Sequence, residues 1–319
     1  MVRRLDSGKY FKTAVKLVSN CFYEVNPFYA SLKVTGCCQF SCEFCNVWKT
    51  PSEDLPTEDM KKIIRNLGQS SIVLISFEGG EPLLRKDIEE LLREARQQPF
   101  YVMLTTSQKR ILDYPWHRYQ DSIDFLQVSI DEGHNNLDIF KLLPELNRYE
   151  MEVCVQTVVR SRDIFAMRAK AALAFKAGCR ILYMPAVNLK QTTGQFPEIE
   201  VFEKELGRLK RAYPNTIITP DVYFKRLKKR QGGCSPNSIV VDSDGCLYYP
   251  CRPLEQKTIK LHETNLMEYL HSSQAARFRK TMRNCTSQCG WYQYFALAGL
   301  ARPQGFWHAL RQHMLKKTA

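Results

Sequence analysis

The stretch Tyr29-Ala-Ser-Leu-Lys-Val-Thr-Gly-Cys-Cys-Gln-Phe-Ser-Cys-Glu-Phe-Cys45 decides how the rest of the sequence is interpreted. Its first seven residues are strand-like, and Cys38, Cys42 and Cys45 follow with the spacing C-x3-C-x2-C. Three thiolates from one short loop can bind three corners of a cubane iron–sulfur cluster and leave the fourth iron without a protein ligand. A structural zinc loop is the alternative, but zinc takes four closed ligands and the local fourth candidate, Cys37, is adjacent to Cys38. The spacing therefore favours the cluster.

The composition is typical of a globular chain with a full core. The 319 residues are 44% hydrophobic and 25% charged. This length suits one large domain and a smaller one. No apolar run approaches about eighteen residues and no signal-peptide pattern occurs, so we expect a cytoplasmic location. Eight of the twelve cysteines fall into two groups, which in a reducing compartment indicates metal binding rather than disulfides.

The net charge of +13 suggests an acidic partner. No nucleic-acid-binding motif accompanies the charge, so we expect no nucleic acid. Residues 1–28 predict a basic amphipathic segment whose apolar side comprises Tyr10, Phe11, Val15, Leu17 and Val18. The C-terminal stretch from Trp291 to Lys317 is also basic and amphipathic. One hypothesis from these two segments is peripheral contact with an anionic membrane surface. The alternative is that they pack on the core or form a solvated basic face.

From residue 29 onward, short apolar runs alternate with helical stretches. The runs cover 29–35, 72–77, 100–105, 123–130, 153–158 and 181–187. The helical stretches cover 57–67, 85–97, 137–149, 164–177 and 201–212. This alternation predicts an α/β fold, a partial (β/α)6 TIM-like barrel whose functional loops follow the C-terminal strand ends. We place this barrel at residues 29–217 and a small β-hairpin/helix iron–sulfur domain, too short and turn-rich to extend the barrel, at residues 218–319.

A second motif follows the second predicted strand. It reads Phe77-Glu-Gly-Gly-Glu-Pro-Leu-Leu-Arg85. Together with the cysteine triplet, this motif resembles the radical S-adenosylmethionine (SAM) superfamily over residues 30–215. The resemblance implies an enzyme whose open iron binds the amino and carboxylate groups of SAM. It also implies that the reduced cluster cleaves SAM to a 5′-deoxyadenosyl radical that removes a hydrogen atom from substrate, with an electron donor such as ferredoxin or flavodoxin.

The resemblance implies cofactor contacts by six residues, which are Phe44, Gly79, Gly80, Glu81, Ser129 and Asp131. The glycines let the backbone pass close to a ligand, and Glu81 can accept hydrogen bonds from the ammonium group of SAM. Phe44 matches the aromatic residue beside adenine. Ser129 and Asp131 match the ribose-binding positions, with the start of a turn as the alternative. Residues 105–108 depart in part from the family's Thr-Thr-Asn-Gly, and their role is left open.

The second cysteine group comprises Cys234, Cys251, Cys285 and Cys289, with Cys246 left over. An alternating strand, an Asp-Gly turn and a return strand predict a hairpin over residues 238–251. This segment resembles the SPASM and twitch auxiliary-cluster domains, and its cysteine count resembles the shorter twitch type. The resemblance implies a second 4Fe–4S cluster. This cluster could take the electron of the substrate radical, or bind substrate directly if one cysteine is free, and four available cysteines favour the electron-transfer role. Cys246 could replace one of the four ligands, and a zinc knuckle is the alternative.

Two classes of substrate are compatible with this enzyme. One is a small or amphipathic, lipid-like molecule, and the other is a ribosomally made peptide. Peptide-modifying members of the family commonly carry a leader-binding domain before the barrel, whereas 37 residues precede Cys38 here. This favours the small or amphipathic substrate. A non-catalytic iron–sulfur protein is a further alternative, disfavoured because Glu81 and all three cysteines of the triplet are present.

Overall fold

The computed structural model describes residues 7–22, 26–49, 53–189, 192, 195–228, 234, 236–287 and 289–296. The strands are β1 (Tyr29–Thr35), β2 (Leu74–Gly79), β3 (Tyr101–Thr106), β4 (Phe125–Ser129), β5 (Glu152–Val159), β6 (Arg180–Pro185), β7 (Ser238–Val241), β8 (Cys246–Tyr248) and β9 (Lys257–Lys260). The α-helices are α1 (Ser7–Phe22), α2 (Thr57–Gln69), α3 (Ile88–Arg96), α4 (Trp116–Tyr119), α5 (Leu143–Leu146), α6 (Met167–Lys176), α7 (Ile199–Ala212), α8 (Asp221–Lys228), α9 (Leu266–His271), α10 (Ser273–Arg283) and α11 (Tyr292–Ala296).

These strands form one sheet in the order β6-β5-β4-β3-β2-β1-β7-β8-β9. The first six pair in parallel with their chain neighbours, as helix-connected βα units do. The sheet is not closed into a barrel, so the predicted α/β fold and partial TIM-like barrel are confirmed. All seven residues of β1 are buried, which places the strand before the cysteine triplet at the centre of the molecule.

The C-terminal hairpin extends this sheet. Strands β7 and β8 pair antiparallel, as predicted, and Gly245 of their turn has φ +81°. However, β7 also pairs in parallel with β1, with Tyr29 opposite Ser238. The expectation that this segment is too short to extend the barrel is therefore wrong, because four residues of β7 are enough to cover the exposed edge of β1. The boundary near residue 217 stays a prediction.

Two predicted helices are partly replaced by 3-10 turns. Residues 137–149 form a 3-10 turn over Leu137–Lys141 and then the short helix α5. Pro144 lies in the first turn of α5, where its missing N–H is tolerated, whereas inside one continuous helix it would remove a hydrogen bond. Residues Ser161–Ala166 likewise form a 3-10 turn that leads into α6.

Helix α1 packs on the barrel through Leu17, which contacts the cluster of Phe28, Tyr29 and Val73, and through polar side chains. Lys16 Nζ donates to the carbonyl oxygen of Gly68 at 2.6 Å, and Asn20 Nδ2 donates to that of Ser71 at 2.7 Å. The predicted helix is present, but its apolar side chains Phe11, Val15 and Val18 are exposed. In the described part of the chain, no helix is long and apolar enough to cross a membrane. The side chain of Tyr10 and the predicted tail beyond residue 296 lie outside the described residues.

We predict that Lys170→Ala destabilises the fold by about 3 kcal/mol, because it removes one partner of a buried ion pair. Lys170 is 2% exposed and its Nζ lies 2.7 Å from Glu132 Oε2, which joins α6 to the loop after β4. The matched control is Lys141→Ala, whose exposed pair with Asp138 should contribute little. Denaturant unfolding of both variants tests this, and equal stability of the two would contradict it.

Candidate active site

The cysteine triplet lies in the loop that follows β1, at the C-terminal edge of the sheet. Asp54 fixes the start of this loop, because its carboxylate accepts from Thr35 Oγ1 at 2.6 Å and from the Gly36 N–H at 2.7 Å. Within the loop, the Phe40 N–H donates to Cys38 Sγ at 3.5 Å. The Cys45 N–H donates to the carbonyl oxygen of Cys42 at 3.1 Å. These bonds fold the loop into a compact turn.

The three thiols are close enough for their charges to interact, and none of them is in a disulfide. Burial, with a smaller contribution from Cys45, raises the pKa of Cys38 to about 11. Burial also raises the pKa of Cys42. Across the described ranges, no three His, Cys, Asp or Glu side chains are arranged closely enough to hold a single metal ion. The thiols of Cys38 and Cys42 therefore favour the protonated form, and a bound metal would replace their protons.

Gly79 and Gly80 bring the end of β2 against the cysteine loop. The Gly80 N–H donates to Thr35 O, and the Glu81 N–H donates to Cys37 O, both at 2.8 Å. A Cβ on Gly80 would overlap the carbonyl oxygen of Cys37, and Gly79 has φ +141°. The backbone that passes close to these glycines is therefore that of the cysteine loop, and their predicted contact with a ligand stays a prediction.

We predict that Gly80→Ala lowers the iron bound after anaerobic reconstitution by at least about half, since its Cβ displaces the cysteine loop. Gly207→Ala is the matched control, because a Cβ there has its nearest neighbour at 3.8 Å in helix α7. Gly207→Ala should slightly stabilise helix α7, because alanine has a higher helix propensity than glycine. Iron analysis and thermal unfolding of both variants test this, and full iron loading of Gly80→Ala would contradict it.

Glu81 is buried and its carboxylate is already oriented. Oε1 accepts from Thr106 Oγ1 at 2.7 Å and from the Leu83 N–H at 3.2 Å, and Oε2 accepts from the Ser107 N–H at 2.8 Å. Burial raises the pKa of Glu81. A carboxylate has about four acceptor positions, so about one is left for a ligand. Thr106 and Ser107, whose role the sequence left open, hold Glu81 in place.

Ser129 and Asp131 hold the loop after β4. Asp131 Oδ1 accepts from the His134 N–H at 3.0 Å and lies 2.8 Å from His134 Nδ1, and Oδ2 accepts from the Val158 N–H at 3.3 Å. Burial opposes ionisation of Asp131, but the bonds from His134 prevail and its pKa lies below the usual value. The carbonyl oxygen of Ser129 accepts from Asn136 Nδ2 at 2.7 Å. Their predicted ribose contact stays a prediction beside this structural role.

Sequence reasoning missed His134. Its ring contacts Phe40 and Phe44 edge-on, with centroids 5.3 and 5.7 Å apart. Both phenylalanines belong to the cysteine loop, and Phe44 also borders the cavity described next. His134 therefore connects the end of β4 to the residue that the resemblance placed beside adenine. No motif marks it in the sequence, and only its position three residues after Asp131 could have drawn attention.

A cavity of about 340 Å³ lies inside the open barrel. Phe44, Cys45 and Gly79 border it at the C-terminal strand ends. Trp291 and Gln293 border it near the opposite ends, where Gln293 Oε1 lies 3.3 Å from Ser238 Oγ at the start of β7. Apolar side chains of the strands form much of its wall, among them Leu74, Met103, Val158, Leu182 and Met184. The candidate cofactor loop thus opens into a mainly apolar chamber.

The structure gathers four cysteines of the second group. Their thiols are close enough for their charges to interact, and they belong to Cys234, Cys251, Cys285 and Cys289. Cys234 hydrogen-bonds to Cys289, which lowers the pKa of Cys289 below that of an ordinary thiol, and the Trp291 N–H donates to Cys289 Sγ at 3.5 Å. Cys246 lies apart from them, beside Asp244, whose Oδ1 accepts from the Cys246 N–H at 2.9 Å.

Asn46 and Arg252 connect the two cysteine groups. Asn46 follows Cys45, and Arg252 follows Cys251. Arg252 Nη2 donates to Asn46 Oδ1 at 3.1 Å, and Asn46 Nδ2 donates to Glu255 Oε1 at 2.7 Å. Both Asn46 and Arg252 border the cavity. The chamber is therefore adjacent to both groups of thiols.

Comparisons with known proteins agree with this arrangement. A sequence model of the radical SAM superfamily matches residues 32–187. Residues 32–187 are therefore a radical SAM domain. The chain is accordingly an enzyme of the kind that uses a 4Fe–4S cluster and SAM. The PqqA peptide cyclase of Bradyrhizobium diazoefficiens is 24% identical over 262 residues, which cover 73% of this chain and 68% of the cyclase.

Two solved structures share the radical SAM fold at low sequence identity. Streptococcus suis SuiB bound to S-adenosylmethionine is similar with a TM-score of 0.65 and 14% identity, over 82% of this chain and 70% of SuiB. The structure of anSMEcpe with bound AdoMet and the Cp18Cys peptide has a TM-score of 0.62 and 14% identity, over 90% of this chain and 95% of anSMEcpe. Both likenesses extend past the matched radical SAM domain.

Proposed function

We propose that this radical SAM enzyme modifies a peptide, with a cluster held by Cys38, Cys42 and Cys45. The observation that carries the proposal is the cavity of about 340 Å³. It is bordered by Cys45 of the triplet and by Arg252 and Trp291, which are close in sequence to cysteines of the second group. A substrate side chain that enters this cavity lies beside Cys45 and beside Trp291, whose N–H donates to Cys289 Sγ at 3.5 Å.

Similar proteins support a peptide as the substrate class. A PqqA peptide cyclase is among the relatives, and SuiB and anSMEcpe have structures with the precursor peptide SuiA and the Cp18Cys peptide. The sequence alone favoured a small or lipid-like molecule because 37 residues precede Cys38. The relatives favour the peptide alternative instead. Contact with an anionic membrane, a cytoplasmic location and an electron donor such as ferredoxin or flavodoxin stay predictions.

The donor set of the triplet fits a cubane cluster. Three thiols come from one loop, and the N–H of Phe40 points at Cys38 Sγ as backbone donors do toward cluster sulfurs. When bound, the reduced cluster supplies the electron that cleaves SAM. Glu81, fixed by Thr106 and Ser107, offers its remaining acceptor position to the ammonium group of SAM. The apolar walls of the chamber keep water away from the reacting atoms.

Cys234, Cys251, Cys285 and Cys289 are our proposed ligands of a second cluster. The four thiols neighbour one another, and a cubane takes four thiolates when it is fully ligated. With no ligand position open, such a cluster accepts an electron rather than binding substrate. The chamber borders Arg252 and Trp291, so an electron leaving a substrate radical there has a short path to these thiols.

Cleavage of SAM by the anaerobically reconstituted, dithionite-reduced protein tests the proposed function. We expect 5′-deoxyadenosine to form slowly without substrate. Its formation should rise when short peptides encoded beside the gene are added, whereas vesicles of anionic phospholipid should give no rise. Stimulation by lipid alone would contradict the peptide class, and no cleavage by protein that holds its clusters would contradict the enzyme itself.

A further inference from the structure

Glu78 is a carboxyl group deep in the barrel that the proposed chemistry does not use. It lies on β2, and its side chain borders the cavity. Tyr29 Oη donates to Glu78 Oε1 at 3.0 Å, and the hydroxyls of Ser31 and Ser76 also hydrogen-bond to the carboxylate. Burial raises the pKa of Glu78, and these hydroxyl contacts, with a smaller contribution from the charge of Lys33, counteract only part of that effect. The carboxyl group is thus held in position, facing the chamber.

The charges around the chamber leave Glu78 without a cation of its own. Lys33 and Arg252 also border the cavity. Lys33 Nζ lies 3.1 Å from Asp242 Oδ1, and Arg252 Nη1 lies 3.1 Å from Glu255 Oε1, so each cation already has an acidic partner. Within the described residues, Glu78 forms no ion pair. Ionising a buried carboxyl group without a cation is costly, and a ligand that brings a positive charge removes that cost.

One part of the remaining wall, beside the polar side chains of Thr105, Gln127 and Gln156, suits an aliphatic chain. Strands β3, β5 and β6 present Met103, Val158, Leu182 and Met184 to the same cavity. Methionine side chains adapt to flexible apolar groups. A group with a methylene stem and a charged head can lay the stem along such a wall while its head reaches a fixed carboxylate.

We propose that Glu78 recognises a substrate side chain with an aliphatic stem and a cationic head, as lysine and arginine have. The inference rests on the proposed function, because it takes the substrate to enter this cavity. It adds the chemical class of the side chain that the enzyme selects. Glu78 is therefore a specificity-determining residue, separate from the residues that hold the cofactors.

Binding of three isosteric probes tests this inference without turnover. The probes are n-pentylammonium, n-pentanol and pentanoate, measured by ligand-detected NMR on the reconstituted protein with SAM. We expect n-pentylammonium to bind at least about tenfold more tightly than n-pentanol, and pentanoate to bind most weakly. Equal affinity for the three probes in the wild-type protein would overturn the inference, and this comparison needs no variant.

Glu78→Gln should remove the preference, because the amide keeps the shape of the side chain but not its negative charge. We expect the affinities of its ammonium and alcohol complexes to agree within about twofold. The exposed Glu150→Gln is the control and should keep the wild-type ranking. Unchanged ranking in Glu78→Gln would also overturn the inference. Substrate-free SAM cleavage by the wild-type protein and by Glu150→Gln, measured alongside, reports on the proposed function separately.

Discussion

Replacement of Cys38, Cys42 and Cys45 by alanine is expected to lower 5′-deoxyadenosine formation by at least about a thousandfold, or ~4 kcal/mol of barrier. Each thiol would hold a different iron of the proposed cluster, so the variant should lose the group that would supply the electron. The bound iron should fall from about eight to about four atoms per chain, because the second group of cysteines is untouched. Iron analysis and product chromatography on the same sample measure both effects.

Cys37→Ala is the matched control for this prediction. Cys37 is adjacent to Cys38 but its side chain is exposed, and its backbone oxygen rather than its thiol contacts the Glu81 N–H. We expect this variant to keep its iron and its SAM cleavage. A triple variant that still cleaves SAM, or a Cys37→Ala variant that loses a cluster, would refute the assignment of ligands.

The second large effect is expected for the Cys234, Cys251, Cys285 and Cys289 quadruple alanine variant. It should bind about four rather than eight irons and still cleave SAM. Modified peptide should fall at least about a hundredfold, ~2.7 kcal/mol, because the substrate radical has lost its electron acceptor. Mass spectrometry of the peptide and quantification of 5′-deoxyadenosine separate the two reactions.

Cys246→Ala is the control for the second group. Cys246 lies beside Asp244 and Lys257 rather than among the other four cysteines. This variant should keep about eight irons and form the modified peptide at the wild-type rate. A loss of four irons from Cys246→Ala would show that it is a ligand. Full modification of the peptide by the quadruple variant would show that the second group is dispensable.

Local sequence predicted the elements of the barrel closely. The apolar run at residues 29–35 coincides with β1, and the helix predicted from Thr57 begins there. Side-chain periodicity and turn residues carry this information. The pairing of β7 with β1 was not predictable in the same way, because Tyr29 and Ser238 are far apart in sequence and either could pair elsewhere.

The candidate site was predictable where a motif marks it and not elsewhere. The cysteine spacing and the Gly-Gly-Glu-Pro stretch identified the loops that the structure brings together at Gly80 and Thr35. Glu78 precedes that stretch, but its exposure to a cavity depends on which face of β2 points inward. The contact between Asn46 and Arg252 likewise depends on the long-range packing of two loops.

The most direct test of the account is electron paramagnetic resonance of the quadruple cysteine variant, in which only the first cluster remains. After dithionite reduction, addition of SAM should change the spectrum of the reduced cluster, since an iron without a protein ligand is free to bind SAM. An identical spectrum with and without SAM, from protein that holds about four irons, would contradict a SAM-binding cluster at Cys38, Cys42 and Cys45.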